Sequence, residues 1–372
     1  MANIVGYLNL YDSPSLGELT NHRTPASTSF IGRFALMDFA LSNFTNSNIT
    51  NINILVKDNF RSVAKHCGSL KSWVRNTKRG KQNFLINERG IADPAYNSDL
   101  NAIRENDWVL YDANADYVVI QPAHIVTVLN LTDLIGKHIK SGADITMVYK
   151  TIDDADKSFL SSHILKMDGD KVVSSEENVG KKAKANISLR TYIFSREIFK
   201  KILLHKDYRN ALSLRMLLQK LINEKSVDIR GYKYSGYARC FDSFKHFMEY
   251  SFELLNFDVA ESLFGGNCKV YTISRNTPPA IYGESADVKK SFVANGANIS
   301  GKVENSIISR YAKVEKGAII KNSIILTRTV VKSGAVIENA LVDKYSTISG
   351  IVKGTKANPV YIEQGKVVKW KS

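Results

Sequence analysis

Apolar residues in the first part of the chain come in short, unbroken runs. Ile4 to Leu10 is one, and Ile52 to Val56, Tyr117 to Ile120 and Ile145 to Tyr149 follow. Runs of this length without polar alternation suit strands buried on both faces of a sheet. Between them the spacing is helical over Phe39 to Phe44, Leu100 to Leu110 and Leu131 to Ile139. Strands alternating with helices predict βαβ units and a mainly parallel sheet, hence an α/β fold. Further on, the pattern predicts a hairpin around Asp168-Gly169-Asp170 and a strand over Leu189 to Phe194. Helices are expected over Arg196 to Leu204, Leu212 to Asn223 and Phe244 to Leu255.

The last part of the chain follows a different rule. Aliphatic residues fall at Ile308, Val314, Ile320, Ile325, Val331, Ile337, Val342 and Ile348. The steps are six, six, five, six, six, five and six, so equivalent positions recur every 17 residues. Small residues (Ala312, Ala318, Thr329, Ala335 and Ser346) sit two before several of them. Neither a helix nor an ordinary strand returns at six and five. A parallel β-helix does, because its flat coils stack equivalent side chains inward. Gly265-Gly266 and Pro278-Pro279 mark the change of pattern. The organisation predicted is an α/β domain over 1–256, a linker over 257–280 and a hexapeptide-repeat β-helix over 281–372.

A chain of 372 residues exceeds what one core usually holds, which agrees with two domains. No apolar run approaches the ~20 residues of a membrane span. The start carries no secretory pattern, and Cys67, Cys240 and Cys268 have no disulfide or zinc spacing, so a cytoplasmic protein is expected. The net charge is +15. Its basic residues are dispersed, with local clusters at Arg75, Lys78, Arg79, Lys81 and at Lys181, Lys182, Lys184, which read as solvated loops. The tyrosines give no stacking register for nucleic acid, so neither nucleic acid nor a membrane is an expected partner.

Three segments carry a resemblance. They are Leu19-Thr20-Asn21-His22-Arg23 with Pro25-Ala26, the stretch Gly32-Arg33-Phe34-Ala35-Leu36-Met37-Asp38-Phe39-Ala40-Leu41-Ser42-Asn43, and Gly90-Ile91-Ala92-Asp93 with Tyr96-Asn97. Followed by a hexapeptide β-helix, they resemble sugar-phosphate nucleotidyltransferases, and glucose-1-phosphate adenylyltransferases in particular. The resemblance covers essentially the whole chain. It implies a doubly wound, Rossmann-like nucleotidyltransferase domain followed by a left-handed parallel β-helix.

The catalytic pattern of that family does not carry over. Its first loop is glycine-rich, so that backbone N–H groups can approach phosphate, and holds an arginine. Here the loop reads Asn9-Leu10-Tyr11-Asp12-Ser13-Pro14-Ser15-Leu16, with no glycine, an anion at Asp12 and Ser15 in the arginine's place. The family's magnesium ion is held by two aspartates. The first matches Gln121-Pro122-Ala123-His124, with His124 read at the aspartate's position; the second matches Cys240, with Asp242 two residues on. A sugar-phosphate lysine is replaced around Glu176-Glu177-Asn178. No catalytic or metal-binding residue is therefore assigned, and magnesium is expected only at a catalytic partner.

The resemblance thus implies the regulatory subunit of a Gram-positive type of glucose-1-phosphate adenylyltransferase, joined to a catalytic subunit in a heterotetramer. In that family the N-terminal block contributes to a site for phosphorylated effectors between the two domains, which makes His22, Arg23 and Arg33 candidate effector-binding residues. The alternative for Arg23 and Arg33 is pairing with Glu18 and Asp38. His124 and Cys240 read as structural, and Trp73 and Trp108 as core in preference to a partner surface. Three other functions stay open: an active nucleotidyltransferase with a divergent loop, a hexapeptide acyltransferase, and a sugar-phosphate sensor. The acyltransferase would need a β-helix histidine, and the last histidine is His246.

Overall fold

The computed structural model describes residues 2–68, 72–74, 80–160, 162–205, 208, 213–274 and 276–369. Arg75, Lys78 and Arg79 of the first basic cluster lie outside the described residues. In chain order the central strands are β1 (Ile4–Asn9), β2 (Asn51–Val56), β3 (Lys81–Ile86), β4 (Tyr117–Pro122) and β5 (Ile145–Ile152). They continue with β6 (His163–Asp168), β7 (Lys171–Glu177), β8 (Ala185–Ser195) and β9 (Ile229–Lys233). They form one nine-stranded sheet in the order β3-β2-β1-β4-β8-β5-β9-β7-β6.

The sheet is mixed, not mainly parallel. β1, β2, β3 and β4 pair in parallel, as do β5 and β9. β8, however, runs antiparallel between β4 and β5, and the β6–β7 hairpin extends the far edge. The apolar runs told which strands are buried but not their direction. Helices cover both faces and bury their aliphatic stripes, with Phe199, Ile202 and Leu203 of Arg196–Leu204 on one side and Leu134 and Ile135 of Leu131–Ser141 on the other. The helix expected over Leu100 to Leu110 is broken into Asp99–Glu105 and Trp108–Asp112. Asn106 sits at the break, and its side-chain amide donates to the carbonyls of Ile86 and Ala102, competing with helix continuation. Trp108, read as core, is consequently 46% exposed, whereas Trp73 is buried.

The segment 257–280 is not extended throughout. Its first part forms a helix, Phe257–Phe264, whose Phe264 ring stacks on Phe34. Beyond it, the backbone at Tyr271 bonds the Ser42 hydroxyl.

Residues from Ile281 onward wind into a parallel β-helix of three sheets, with six, five and five strands. The eight aliphatic residues of the repeat all point inward and are buried. Coils of 17 residues in the middle (Lys302 against Ile319, Ile319 against Val336) give way to 15 at either side (Asp287 against Lys302, Val336 against Ile351). The β-helix lies against the α/β domain through Ile307, Ile324 and Leu341, which join Leu16, Phe30, Phe39 and Phe247 in one apolar cluster.

Candidate functional site

Two hollows deserve comparison: the cleft at the C-terminal ends of β1 and β4, where a doubly wound sheet places its ligands, and the cavity between the two domains.

Among the described residues the strand-end cleft keeps only a small hollow. Its void, lined by Asn9, Asp12, Asp99, Arg190, Tyr192 and Arg215 among others, measures ≈ 10 Å³, room for a single water. The principal filler is Arg190. It sits in a bulge of β8 where the ladder register shifts between Ser188 and Tyr192, and its φ of 51° is left-handed. Such a bulge re-aims a side chain. Here the guanidinium turns inward, donating to the carbonyl of Asp12 at 3.2 Å and lying 3.3 Å from His124 Nε2. Arg215 stands 4.0 Å from the Asp12 carboxylate and 3.8 Å from Glu177. The loop after β1 is strapped down as well. Asn9 accepts from the Tyr11 amide and donates to Asp99, and Leu16 is buried in the interdomain cluster.

The charges here answer one another. Asp99 is fully buried and accepts from Asn9 and from the amides of Leu100 and Leu214. Burial, followed by the nearby Asp12 charge, pushes its carboxyl up to about 6. His124 is held well below its ordinary value by burial and then by Arg190 and Arg215, so its imidazole is neutral. His163 is lowered to about 4 for the same reasons.

The donor set does not suit a divalent cation. Cys240 pairs with Ile125 across a short antiparallel ladder, and His124 precedes that ladder in a bend, with its Nε2 3.3 Å from the Arg190 guanidinium. Ala123 offers no ligand, and burial raises the Cys240 thiol far above its usual range. Asp242 is engaged with His246. Among the described residues no group of three or more His, Cys, Asp and Glu side chains is placed to hold a metal ion.

The interdomain cavity is different in size and charge. It measures ≈ 530 Å³ and is lined by His22, Arg23 and Arg33, the three residues singled out from sequence, and by residues of the β-helix. Arg61, Lys65, Arg310, Arg328 and Lys344 complete its cationic wall, and among the described residues no carboxylate lines it. Gly32 makes this approach possible. Its φ is 71°, and a Cβ there would lie 3.1 Å from the carbonyl of Ile308 in the β-helix.

The pairings differ from those weighed at the sequence level. Arg23 does not bond Glu18. It forms a bidentate ion pair with Asp343, 320 residues away, at 3.0 and 2.6 Å, and Tyr361 donates to the same carboxylate. Asp38 takes the His66 imidazole at 2.6 Å and the Ala35 amide, not Arg33. Arg33 lies over the Phe34 ring and stays on the cavity wall.

Sequence reasoning missed the β-helix side of this cavity. Tyr311, Arg328 and Tyr345 fall 17 apart at one corner, all with left-handed φ of 60°, 60° and 63°. Arg328 stacks over Tyr311. The preceding corners use Asn305, Asn322 and Asn339 for the same conformation, residues that tolerate it. Bulky residues held there cost about 1 kcal/mol or more each, and such strain gathers at binding sites. The 17-residue spacing was legible; that these positions face a cavity was not.

Comparison with known proteins fits this two-part construction. Residues 15–234 match the family described as Nucleotidyl transferase, and residues 279–356 match the GlmU-like, C-terminal hexapeptide family. The chain belongs to the nucleotidyl transferase family. Within it, the glycogen biosynthesis protein GlgD of Bacillus subtilis is 28% identical over 95% of this chain and 93% of its own length. GlgD of Geobacillus stearothermophilus is 30% identical over 82% of this chain and 79% of its own. A glucose-1-phosphate adenylyltransferase of Thermotoga neapolitana is 28% identical over 82% and 73%. For a nucleotidyl transferase family member the small hollow at the strand ends, filled by Arg190, is the unexpected feature, because that is where such a fold handles substrate.

Proposed function

We propose that this chain is the regulatory, catalytically impaired subunit of a glucose-1-phosphate adenylyltransferase of glycogen biosynthesis. It assembles with a catalytic subunit that makes ADP-glucose from ATP and glucose 1-phosphate, and magnesium acts at that partner. The observation carrying the reading is the strand-end cleft, reduced to ≈ 10 Å³ by Arg190 and its neighbours. A triphosphate brings several negative charges and needs open donors. This cleft presents Asp12 and arginines that are already answered. The relatives named GlgD, matched over nearly the whole chain, support the same reading.

The interdomain cavity then takes a phosphorylated effector, which the arginines and lysines of its wall meet through charge-assisted bonds. A ligand bridging the two domains stabilises one arrangement of them. A subunit that favours the active state of its partner by ~1–3 kcal/mol changes apparent affinities about 5–150-fold.

The test is ADP-glucose synthesis with magnesium by this chain alone, by the catalytic subunit alone and by the two mixed. The expected result is no turnover alone and a marked rise in the mixture. Substantial turnover by this chain alone refutes the proposal and identifies an active enzyme with a divergent loop. No effect in the mixture refutes the regulatory role.

A further inference from the structure

Aromatic surface gathers on the outer side of the α/β domain. The break at Asn106 sets off the short helix Trp108–Asp112, which buries Val109 and Leu110. Trp108 and Tyr111, one helical turn apart, face the other way and are 46% and 57% exposed. Tyr96 and Leu204 are exposed as well. Exposed apolar groups collected in one place mark a surface that meets something.

Two hollows run together here. One, ≈ 30 Å³, is lined by Asp107, Tyr111 and Lys200. The other, ≈ 320 Å³, is lined by Arg89, Tyr96 and Glu105. Arg104, Leu203 and Leu204 line both, which makes them one groove. Arg104 fixes its floor: the guanidinium donates to the Leu203 carbonyl at 3.0 Å, to Asn101 Oδ1 at 2.9 Å and to the Tyr208 carbonyl at 2.8 Å.

The groove has no single sign. Glu105 stands 3.7 Å from Arg89, Asp107 shares a hollow with Lys200, and the Lys200 ammonium lies 4.1 Å from the Tyr111 ring centre. A phosphorylated ligand would meet two carboxylates, unlike in the interdomain cavity. A protein partner wants an apolar centre with charge at the rim, whereas here charged groups stand between the rings. A neutral polyhydroxyl ligand suits all of it. The C–H face of a sugar ring packs on Trp108, Tyr111 or Tyr96, and its hydroxyl rim both donates to Glu105 and Asp107 and accepts from Arg89 and Lys200. A groove of two joined hollows fits several sugar units in a row better than one.

We propose that this groove binds a glucan chain and holds the protein on the polymer whose synthesis it serves. The proposal rests on the place of the chain in glycogen biosynthesis, and it is independent of whether the chain is catalytic or regulatory.

The test is co-sedimentation of the full chain with glycogen and calorimetry with maltoheptaose, with thermal unfolding as a control for folding. The expected result is binding that is indifferent to salt, since the ligand carries no charge. Trp108→Ala with Tyr111→Ala should weaken it at least about tenfold, through two lost ring contacts. Glu105→Gln, which keeps the rings, should weaken it as well. Arg310→Ala with Arg328→Ala, in the interdomain cavity, should leave it unchanged. A native chain that binds neither probe overturns the proposal, and so does binding untouched by the ring substitutions. If the native chain ignores both probes while the ring substitutions abolish assembly with the catalytic subunit, the face belongs to a protein partner and the proposal fails. Synthesis of ADP-glucose is measured separately, so its outcome does not decide this one.

Discussion

The strand-end cleft and the interdomain cavity are both lined with arginine, and they differ in what answers the charge. In the cleft, Arg190 turns onto the Asp12 carbonyl and Arg215 approaches the Asp12 and Glu177 carboxylates, with a ≈ 10 Å³ void left over. In the cavity, cations line ≈ 530 Å³ with no carboxylate on the wall among the described residues. Buried cations satisfied from within are structural; cations gathered around open space attract an anion from outside. The cavity holds more arginines (Arg23, Arg33, Arg61, Arg310 and Arg328) than the cleft (Arg190 and Arg215), and it alone keeps an open volume for a ligand.

The largest test of this contrast concerns Arg23, which lines the cavity yet is answered by Asp343. Removing one partner leaves the other buried and charged. Arg23→Ala or Asp343→Ala is therefore expected to lower stability by about 3–5 kcal/mol, measured by denaturant unfolding. A loss below about 1 kcal/mol would mean that Arg23 is held for ligand, not for the domain joint.

The pH dependence tests the cleft. His163 titrates at about 4 folded against 6.5 for its ordinary value. Above pH 6.5 both folded and unfolded forms are neutral and there is no effect. Between 6.5 and 4 the unfolded chain takes the proton first, so stability falls as pH falls. Asp99, raised to about 6, opposes this: the folded state takes that proton first below pH 6. Comparing His163→Gln with the native chain cancels the Asp99 contribution. The variant should gain on the native chain by about 3 kcal/mol between pH 7 and pH 4. A constant difference across that range would contradict the buried, neutral imidazole.

Ligand binding sharpens the comparison next. A sugar bisphosphate should raise the unfolding temperature of the native chain. Arg310→Ala with Arg328→Ala should weaken its binding about 10–100-fold by calorimetry, each lost hydrogen bond contributing about 0.5–1.5 kcal/mol net. Arg190→Ala should leave that affinity unchanged. Equal effects of both changes would merge the two sites. The smallest effect is at Tyr345, whose φ is 63°. Tyr345→Asn should stabilise the β-helix by up to about 1 kcal/mol while weakening the ligand, since the strain is relieved where the contact is lost.

Much of the molecule was written in local patterns. Eight aliphatic residues at steps of six and five specify an inward ladder, because coils of fixed length can stack equivalent side chains only one way, and all eight are buried. The runs at β1, β2, β4 and β5 were likewise readable, since strands covered on both faces need no polar alternation. The glycine-free loop after β1 and the residues at His124 and Cys240 already departed from phosphate and metal chemistry before any coordinates. Tertiary structure decided the rest. It set β8 antiparallel and turned Arg190 inward through a bulge, beside His124. It paired Arg23 with Asp343 across 320 residues. Local pattern records which side chains seek burial. Which charge meets which depends on distances between segments far apart in the chain, and those exist only once the two domains have closed on each other.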